Sequence, residues 1–246
     1  MELKILGSSS AGNCYVFDNG KEALVVECGI AFNKVKEAVN FDISRIVGAI
    51  VSHEHGDHAK MVGKFLDALI PVYTSNGTAQ SLGVSGNHLL HKMVKDGVYN
   101  VGSFKVYAFT TQHDAAEPFG FLIYHEEMGT VLFATDTYYL EYTFNGLNNI
   151  LLECNYKLEI LESNIAAGRI PAKLRDRTIK SHCSLKTCKE ILQANDLSLV
   201  NNIVLIHLSD GNSNATEFQR DVQEATGKTV HIANKGMTLK FNKTPF

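Results

Sequence analysis

Val51-Ser52-His53-Glu54-His55-Gly56-Asp57-His58 is the stretch whose reading decides the fold. It follows the apolar run Ile46–Val51. It opens a segment, His58–Ile70, in which Met61, Val62, Phe65, Leu66 and Leu69 have the spacing of an amphipathic helix. Three histidines and an aspartate lie within six residues and show no helical period. The spacing therefore predicts a strand-end loop that turns several side chains into one pocket. Neutral imidazole and carboxylate suit zinc and neighbouring first-row metals, and one such ion takes about four ligands. His53 and His55, two apart, can share a face and leave Asp57 and His58 to aim elsewhere, which predicts two adjacent ions. The plain alternative is a solvated polar turn. Three histidines packed beside an acid argue against it.

Upstream of this loop, Leu3–Leu6, Cys14–Phe17 and Ala23–Glu27 are short apolar runs separated by Gly, Ser, Asn and Asp, and they read as strands. Lys34–Val39 reads as a short helix. Downstream, strands are predicted at Pro71–Thr74, Phe104–Thr110, Gly120–Tyr124, Thr130–Ala134 and Ile150–Glu153. Helices follow at Tyr156–Asn164, at Ser184–Ala194 with Ser184 as N-cap, and at Asn214–Ala225. Strands at Asn202–Leu208, Thr229–Ile232 and Met237–Phe241 close the chain. This is a mixed α/β layout with sheet in both halves. No linker or low-complexity segment interrupts it, so one domain spanning residues 1–246 is expected.

Composition narrows the function. The chain has 246 residues, 45% hydrophobic and 20% charged, with a formal net charge of −3. Such a chain can bury a core and is not disordered. No apolar run reaches the roughly 18–20 residues of a membrane helix. No basic segment followed by an apolar stretch marks a signal peptide. The five cysteines, Cys14, Cys28, Cys154, Cys183 and Cys188, are odd in number and form no C-x-x-C. Buried reduced thiols and a cytoplasmic location are the expectation. The charge balance gives no global nucleic-acid footprint. Locally, however, Gly168–Lys189 holds seven cations against Asp176 alone, a formal +6, and such a concentration suits a phosphate backbone. A solvated helix face is the alternative.

Three more metal-capable side chains close buried strands: His113 after an extended run, Asp136 in Ala134-Thr135-Asp136-Thr137, and His207 in Leu205-Ile206-His207. With the H-x-H-x-D-H string of His53–His58, this order resembles the metallo-β-lactamase superfamily. The resemblance implies a four-layer αββα sandwich of two mixed sheets. It also implies a first metal held by His53, His55, His113 and Asp136, and a second held by Asp57, His58, His207 and Asp136. Asp136 would bridge, and a water or hydroxide would sit between two divalent ions, zinc or manganese. A finer resemblance, to the YycJ/WalJ-type branch, covers nearly the whole chain. It is carried by Gly7-Ser8-Ser9-Ser10-Ala11-Gly12-Asn13, His113-Asp114-Ala115-Ala116-Glu117-Pro118, Leu152-Glu153-Cys154-Asn155, Gly168-Arg169-Ile170-Pro171, His182-Cys183-Ser184 and His207-Leu208-Ser209. It implies a DNA nuclease of 5′→3′ exonuclease type.

Two positions depart from that pattern. Glu27 stands where the family usually has Asp and is expected to support a ligand histidine. Tyr156 stands where the branch usually has His. The resemblance assigns catalysis to Asp57 and His182, with His182 bonding the phosphate or protonating the leaving oxygen, and it allows Glu153 to orient His182. Ser184, Arg169 and Lys180 are the expected substrate contacts. The loop Ser8–Asn13 either contacts phosphate or forms a tight turn. Tyr138, Tyr139, Tyr142 and Phe144 either pack as core or lid or stack on bases. His88, His91, His125 and His231 are read as surface or satisfied interior residues. A small-molecule hydrolase with the same metals (acting on a lactone, thioester, β-lactam or cyclic nucleotide) is the closest alternative, and a non-catalytic metal-binding regulator is the other. Protein partners are not legible.

Overall fold

A computed structural model describes residues 1–245. In chain order the first half holds β1 (Glu2–Gly7), β2 (Cys14–Asp18), β3 (Ala23–Val26), α1 (Phe32–Ala38), β4 (Ile46–Ile50), α2 (Gly56–Ala59), α3 (Val62–Asp67), β5 (Val72–Ser75), α4 (Asn76–Ser81), β6 (Leu90–Met93) and β7 (Val98–Val101). Then come β8 (Phe104–Thr110), β9 (Phe119–His125), β10 (Gly129–Ala134), β11 (Leu147–Glu153), α5 (Leu158–Ala166), α6 (Ala172–Ser181), α7 (Leu185–Ala194), β12 (Asn202–Ile206), α8 (Ala215–Thr226), β13 (Thr229–Ile232) and β14 (Thr238–Lys240).

The strands form two seven-stranded sheets, ordered β14-β1-β2-β3-β4-β5-β6 and β13-β12-β11-β10-β9-β8-β7. Both are mixed. In the first, β14, β1, β2 and β3 pair antiparallel and β3, β4, β5 and β6 parallel. In the second, β10 through β13 pair parallel and β7 through β10 antiparallel.

The two-residue period of a strand explains how continuous apolar runs fill three layers of core. In β11, Leu151 points between the sheets with Tyr15, Phe17, Phe104, Phe121 and Phe133, while Ile150 and Leu152 face outward onto Leu185, Ile191, Leu192 and Phe218 of α7 and α8. In the first sheet, Ile50 joins the inner core, while Ala49 and Val51 meet Val35, Val62 and Phe65 of α1 and α3. The order of layers is therefore helix, sheet, sheet, helix.

The structure revises several local readings. The helix expected over His58–Ile70 is two helices, α2 and α3. The Asp57 carbonyl, which would accept from Met61 N, instead accepts from Asn13 N at 2.7 Å, and Met61 N bonds Cys28 O at 3.0 Å. α6 forms inside the basic stretch, which had been given no element. Ser184 caps α7 by accepting from Thr187 N, and Asn214 caps α8 by accepting from Glu217 N. All five cysteines are buried and free. No described helix is long and apolar enough to cross a membrane.

Candidate metal centre

The site lies where the parallel strands of both sheets end, the usual place for ligands in α/β sheets. β4 runs into the His53–His58 loop, β8 leads to His113, β10 to Asp136, β11 ends on Glu153, and β12 runs into His207. Glu27, Asp136 and His207 all sit just past or at a strand end with positive φ (68°, 46° and 53°). Such left-handed turns in residues other than glycine cost about 1–3 kcal/mol each and collect at functional sites. Here each turn swings a side chain from its strand into the gap between the sheets.

Three sets of donor atoms result, each with all atoms within 4.8 Å of one another; one is Asp136, Glu153, His182 and His207, and the two that hold the expected ligands are His53, His55, His113 and Asp136, and Asp57, His58, Asp136 and His207. Asp136 belongs to both. Its Oδ2 lies 3.4 Å from His113 Nε2, 3.3 Å from His58 Nε2 and 3.6 Å from His53 Nε2, and its Oδ1 lies 2.9 Å from His207 Nδ1. Asp57 Oδ2 lies 3.3 Å from His58 Nε2 and 3.2 Å from His207 Nε2. Ligand bonds of about 2.0–2.2 Å in a tetrahedron separate neighbouring donors by roughly 3.3 Å. The observed spacings are those of a coordination shell. The two sets are the ones the resemblance implied.

The chemistry of the donors fits cations. His53 is buried, and its Nε2 has no hydrogen-bond partner, while its Nδ1 is held by Ser52 Oγ at 2.9 Å. His113 Nδ1 donates to the Ser181 carbonyl at 2.9 Å, which leaves Nε2 as the acceptor nitrogen, 3.1 Å from His55 Nδ1 of the same donor set. Glu27 Oε2 lies 3.3 Å from His58 Nδ1, so this longer acid reaches the histidine it was expected to support, and its Oε1 accepts from Ser52 N. These are the outer partners that orient metal-binding imidazoles. Burial alone would lower the pKa of His58 and His207, but the Asp136 carboxylate beside both, with Glu27 beside His58, holds them well above the usual histidine range. Burial also opposes ionisation of Asp57 and Asp136. His207 and His58 nevertheless keep both well below the usual carboxylate range. His53 and His113 are pushed down, chiefly by burial.

Glu153 forms a second layer. This buried carboxylate accepts from His182 Nδ1 at 2.7 Å, from Thr137 N at 2.9 Å and from Cys183 N at 3.1 Å, and lies 3.2 Å from His207 Nδ1. Burial would lower the His182 pKa, but the Glu153 charge raises it. His182 is the residue just after α6, half-buried beside the second donor set.

Sequence reasoning missed the braces. Glu54 Oε1 accepts from Ala116 N at 2.8 Å, and Glu117 Oε2 accepts from Gly77 N at 2.7 Å, so the H-D-A-A-E-P string ties the His113 loop to the His53 loop and α4. Ser8 Oγ accepts from His207 N at 2.9 Å, and Asn13 Nδ2 donates to Asp57 Oδ2 at 3.3 Å. The Ser8–Asn13 loop thus holds ligand loops in place. Gly29 lets it do so: a Cβ there would lie 1.7 Å from Asp57 O.

The site opens into a cleft of about 270 Å³, lined among others by Ser10, Asn155, Leu174, Arg177, Thr178 and Asn212. Of the expected substrate contacts, none lines it. Arg169 donates to Asn164 Oδ1, Ser184 Oγ is spent on its helix cap and faces a neighbouring groove, and Lys180 is exposed on α6. Of the lysines and arginines of the basic stretch only Arg177 lines the cleft, and its Nε lies 3.4 Å from Asp114 Oδ2. Tyr138 and Tyr139 are largely exposed beside Asp136, whereas Tyr142 and Phe144 pack on Phe109.

Known proteins resemble this chain in sequence and in fold. The profile of the Metallo-beta-lactamase superfamily matches residues 9–78, which include His53–His58. The chain is 28% identical over 196 residues to the exodeoxyribonuclease YycJ of Bacillus anthracis, covering 73% of this chain and 70% of that one. It is 26% identical over 187 residues to the exodeoxyribonuclease WalJ of Streptococcus pneumoniae, covering 70% and 69%. The fold superposes on the metallo-beta-lactamase fold protein YhfI of Bacillus subtilis with a TM-score of 0.75 at 17% identity, over 97% and 99% of the chains. It superposes on human tRNase Z, short form, with a TM-score of 0.65 at 15% identity, over 98% and 99%. The profile ends before His113, Asp136 and His207, and it is the folded chain that carries these three back to the matched histidines. On both counts the chain is similar to the metallo-β-lactamase superfamily and to its YycJ/WalJ-type branch, and the match and the donor sets together support a metal-dependent hydrolase.

Proposed function

We propose that this hydrolase is a DNA exonuclease of 5′→3′ type that takes one terminal nucleotide at a time into its metal cleft. The observation that carries the reading is a pair of four-donor sets sharing Asp136, placed at the floor of a cleft of about 270 Å³. That volume is at the bottom of the usual range for ligand pockets, about 300–1,000 Å³, and suits a nucleotide unit while excluding a duplex. His53, His55, His113 and Asp136 would hold one divalent ion, and Asp57, His58, His207 and Asp136 the other. When bound, two divalent ions, zinc or manganese, supply Lewis-acid polarisation of a phosphoryl oxygen and acidify water.

The remaining work falls to the chain. Asp57 accepts hydrogen bonds from His207 and Asn13, which fix its carboxylate at the cleft floor. His182, anchored by Glu153, whose charge raises its pKa, gives its Nε2 proton to the leaving oxygen. Glu153 holds the imidazole by Nδ1, so that Nε2 is the atom that faces the cleft. Arg177, the cleft's one lining Lys or Arg among the described residues, binds the phosphate in place of Arg169, Lys180 or Ser184. The curated relatives named as exodeoxyribonucleases support DNA as the substrate. Five buried free thiols support a reducing, cytoplasmic setting.

The test is metal content together with digestion of a 5′-labelled duplex by the wild type, Asp57→Ala and His182→Ala. Two ions per chain, stepwise shortening by the wild type, and its loss in both variants are expected. The small size of the cleft also favours a second reading, a small phosphodiester as substrate. Turnover of such an ester with no DNA shortening would replace the first reading by the second.

A further inference from the structure

Beside the metal cleft lies a second cavity of about 470 Å³, and three places in the chain alternate between the two. Asn155 lines the cleft and Tyr156 the second cavity. On α6, Arg177 and Thr178 face the cleft while Arg175 and Ile179 face the cavity. His182 lines the cleft and Ser184 the cavity. The two hollows therefore lie on different flanks of α6 and are separated by the body of that helix, which is about 10–12 Å across with side chains. That is roughly three nucleotides of stacked strand at about 3.4 Å each.

The cavity's chemistry differs from that of the cleft. Its floor is apolar, with Tyr156, Leu158, Ile179 and Leu185, and Leu158 is 45% exposed although nothing in the cleft needs it. Its rim carries Lys157, Arg175, Lys186 and Lys189 against Glu159 and Asp221. Lys157 is taken by Glu217, Arg175 by Glu162 and Asp176, and Asp221 by Arg220. Lys186 stands 3.8 Å from Glu190 in a loose, exposed pair, and no carboxylate among the described residues pairs with Lys189. An apolar floor under free ammonium groups is complementary to a base flanked by its phosphates. A neutral small substrate would gain nothing from such a rim.

We infer that this groove holds the single strand of the substrate two or three nucleotides beyond the one in the cleft, with α6 as the saddle between them. The strand passes over α6, its phosphates meeting Lys186 and Lys189 and a base resting on the exposed Leu158, with the buried Tyr156 beneath. The departure at Tyr156 then has a place: it lines the strand groove, away from the metals. This inference rests on the nuclease reading above and adds the length of strand that the enzyme grips.

The experiment compares a thymidine dinucleotide with an octanucleotide, for the wild type and for Lys186→Ala/Lys189→Ala. The readouts are kcat/KM with metal and anisotropy of the labelled octanucleotide on metal-free protein. The expected result is unchanged dinucleotide turnover, a loss of about tenfold or more in kcat/KM and in affinity for the octanucleotide, and a salt slope shallower by about 1.4, since each single-strand phosphate contact contributes about 0.7. An unchanged octanucleotide preference in a variant that still cleaves DNA overturns the groove and leaves the nuclease reading standing. Equal loss on both lengths also overturns it, because the lysines would then be acting on the cleft itself. A wild type that hydrolyses bis(p-nitrophenyl) phosphate but no oligonucleotide fails the nuclease reading, and the groove with it.

Discussion

Replacing Glu54 by alanine should empty one metal site and spare the other. Glu54 lies between two donors of the first set, His53 and His55, and its carboxylate reaches across to Ala116 N at 2.8 Å, three residues beyond the third donor, His113. Its second contact, to Thr78 Oγ1 at 3.4 Å, is too long to add much. A hydrogen bond to a charged group contributes about 1.5–3 kcal/mol, and Glu54 is half-buried, so about 1.5 kcal/mol is the reasonable figure. If that loss is felt as misplacement of His113, the affinity of the first site falls about tenfold, since 1.4 kcal/mol is a factor of ten. The range known for outer partners of metal ligands is about 10–100-fold. Calorimetric titration of metal-free protein with zinc or cobalt separates the two events. Glu54→Ala should weaken one event about tenfold and leave the other within about twofold. Glu54→Gln, which keeps an acceptor for Ala116 N, should restore most of it. Equal weakening of both events would mean that Glu54 supports the fold as a whole, and no weakening would mean that the brace does not position His113.

Further outcomes follow from the same geometry. Asp18 is buried and accepts from Lys4, Arg45 and Gly20 N; burial opposes its charge, but these donors leave its pKa below the usual carboxylate value. Its stabilisation is therefore full above about pH 4 and fades as pH falls through the lowered folded value, so Asp18→Asn should cost about 3 kcal/mol in urea melts at pH 7 and less near pH 3. Glu153→Gln should keep two metals yet lower kcat about 100-fold and move the alkaline limb of the pH profile to lower pH, because His182, the proton donor, loses both its anchor and its raised pKa. Metal affinity should rise with pH, since His58 and His207 hold protons that an ion must displace, and chelator should lower Tm in proportion to the ion's affinity. Gly29→Ala should fail to fold or lose metal, because its Cβ would collide with Asp57 O, and circular dichroism with metal analysis reads either result.

The sequence displayed side chains well and backbone poorly. His53–His58 was legible because histidine is uncommon and four donors stood in six residues. Asp136 and His207 each end an apolar run, but it was their order after the His53 loop, and the resemblance that this order carries, that implied them as ligands and implied the sandwich. What could not be read was how a strand end turns. The break between α2 and α3 comes from Asn13 and Cys28, distant in sequence, capturing bonds that helix periodicity alone would assign within the segment. The basic stretch showed its charge but not its phase. Only when α6 exists does Arg177 fall toward the metals and Arg175 away from them. Arg169 and Ser184 are polar residues whose bonds are already spent within the fold, and composition does not distinguish a spent donor from a free one.

The left-handed turns at Glu27, Asp136 and His207 join these points. A side chain at the end of a regular strand alternates up or down, so it faces either the inner core or the outer helices. Neither direction reaches a site placed at the rim between two sheets. A positive φ breaks that alternation at the rim itself, at about 1–3 kcal/mol per residue. Glycine would remove the strain, but it carries neither carboxylate nor imidazole. Three such residues meeting at one point therefore represent strain of several kcal/mol held by their neighbours: Ser8 on His207 N, Ile50 O on Glu27 N, and Thr135 on the Asp136 carboxylate. A fold that stabilised only itself would have no use for that arrangement. Its purpose is legible in His53, whose buried Nε2 lies 3.6 Å from the Asp136 carboxylate with no hydrogen-bond partner among the described residues.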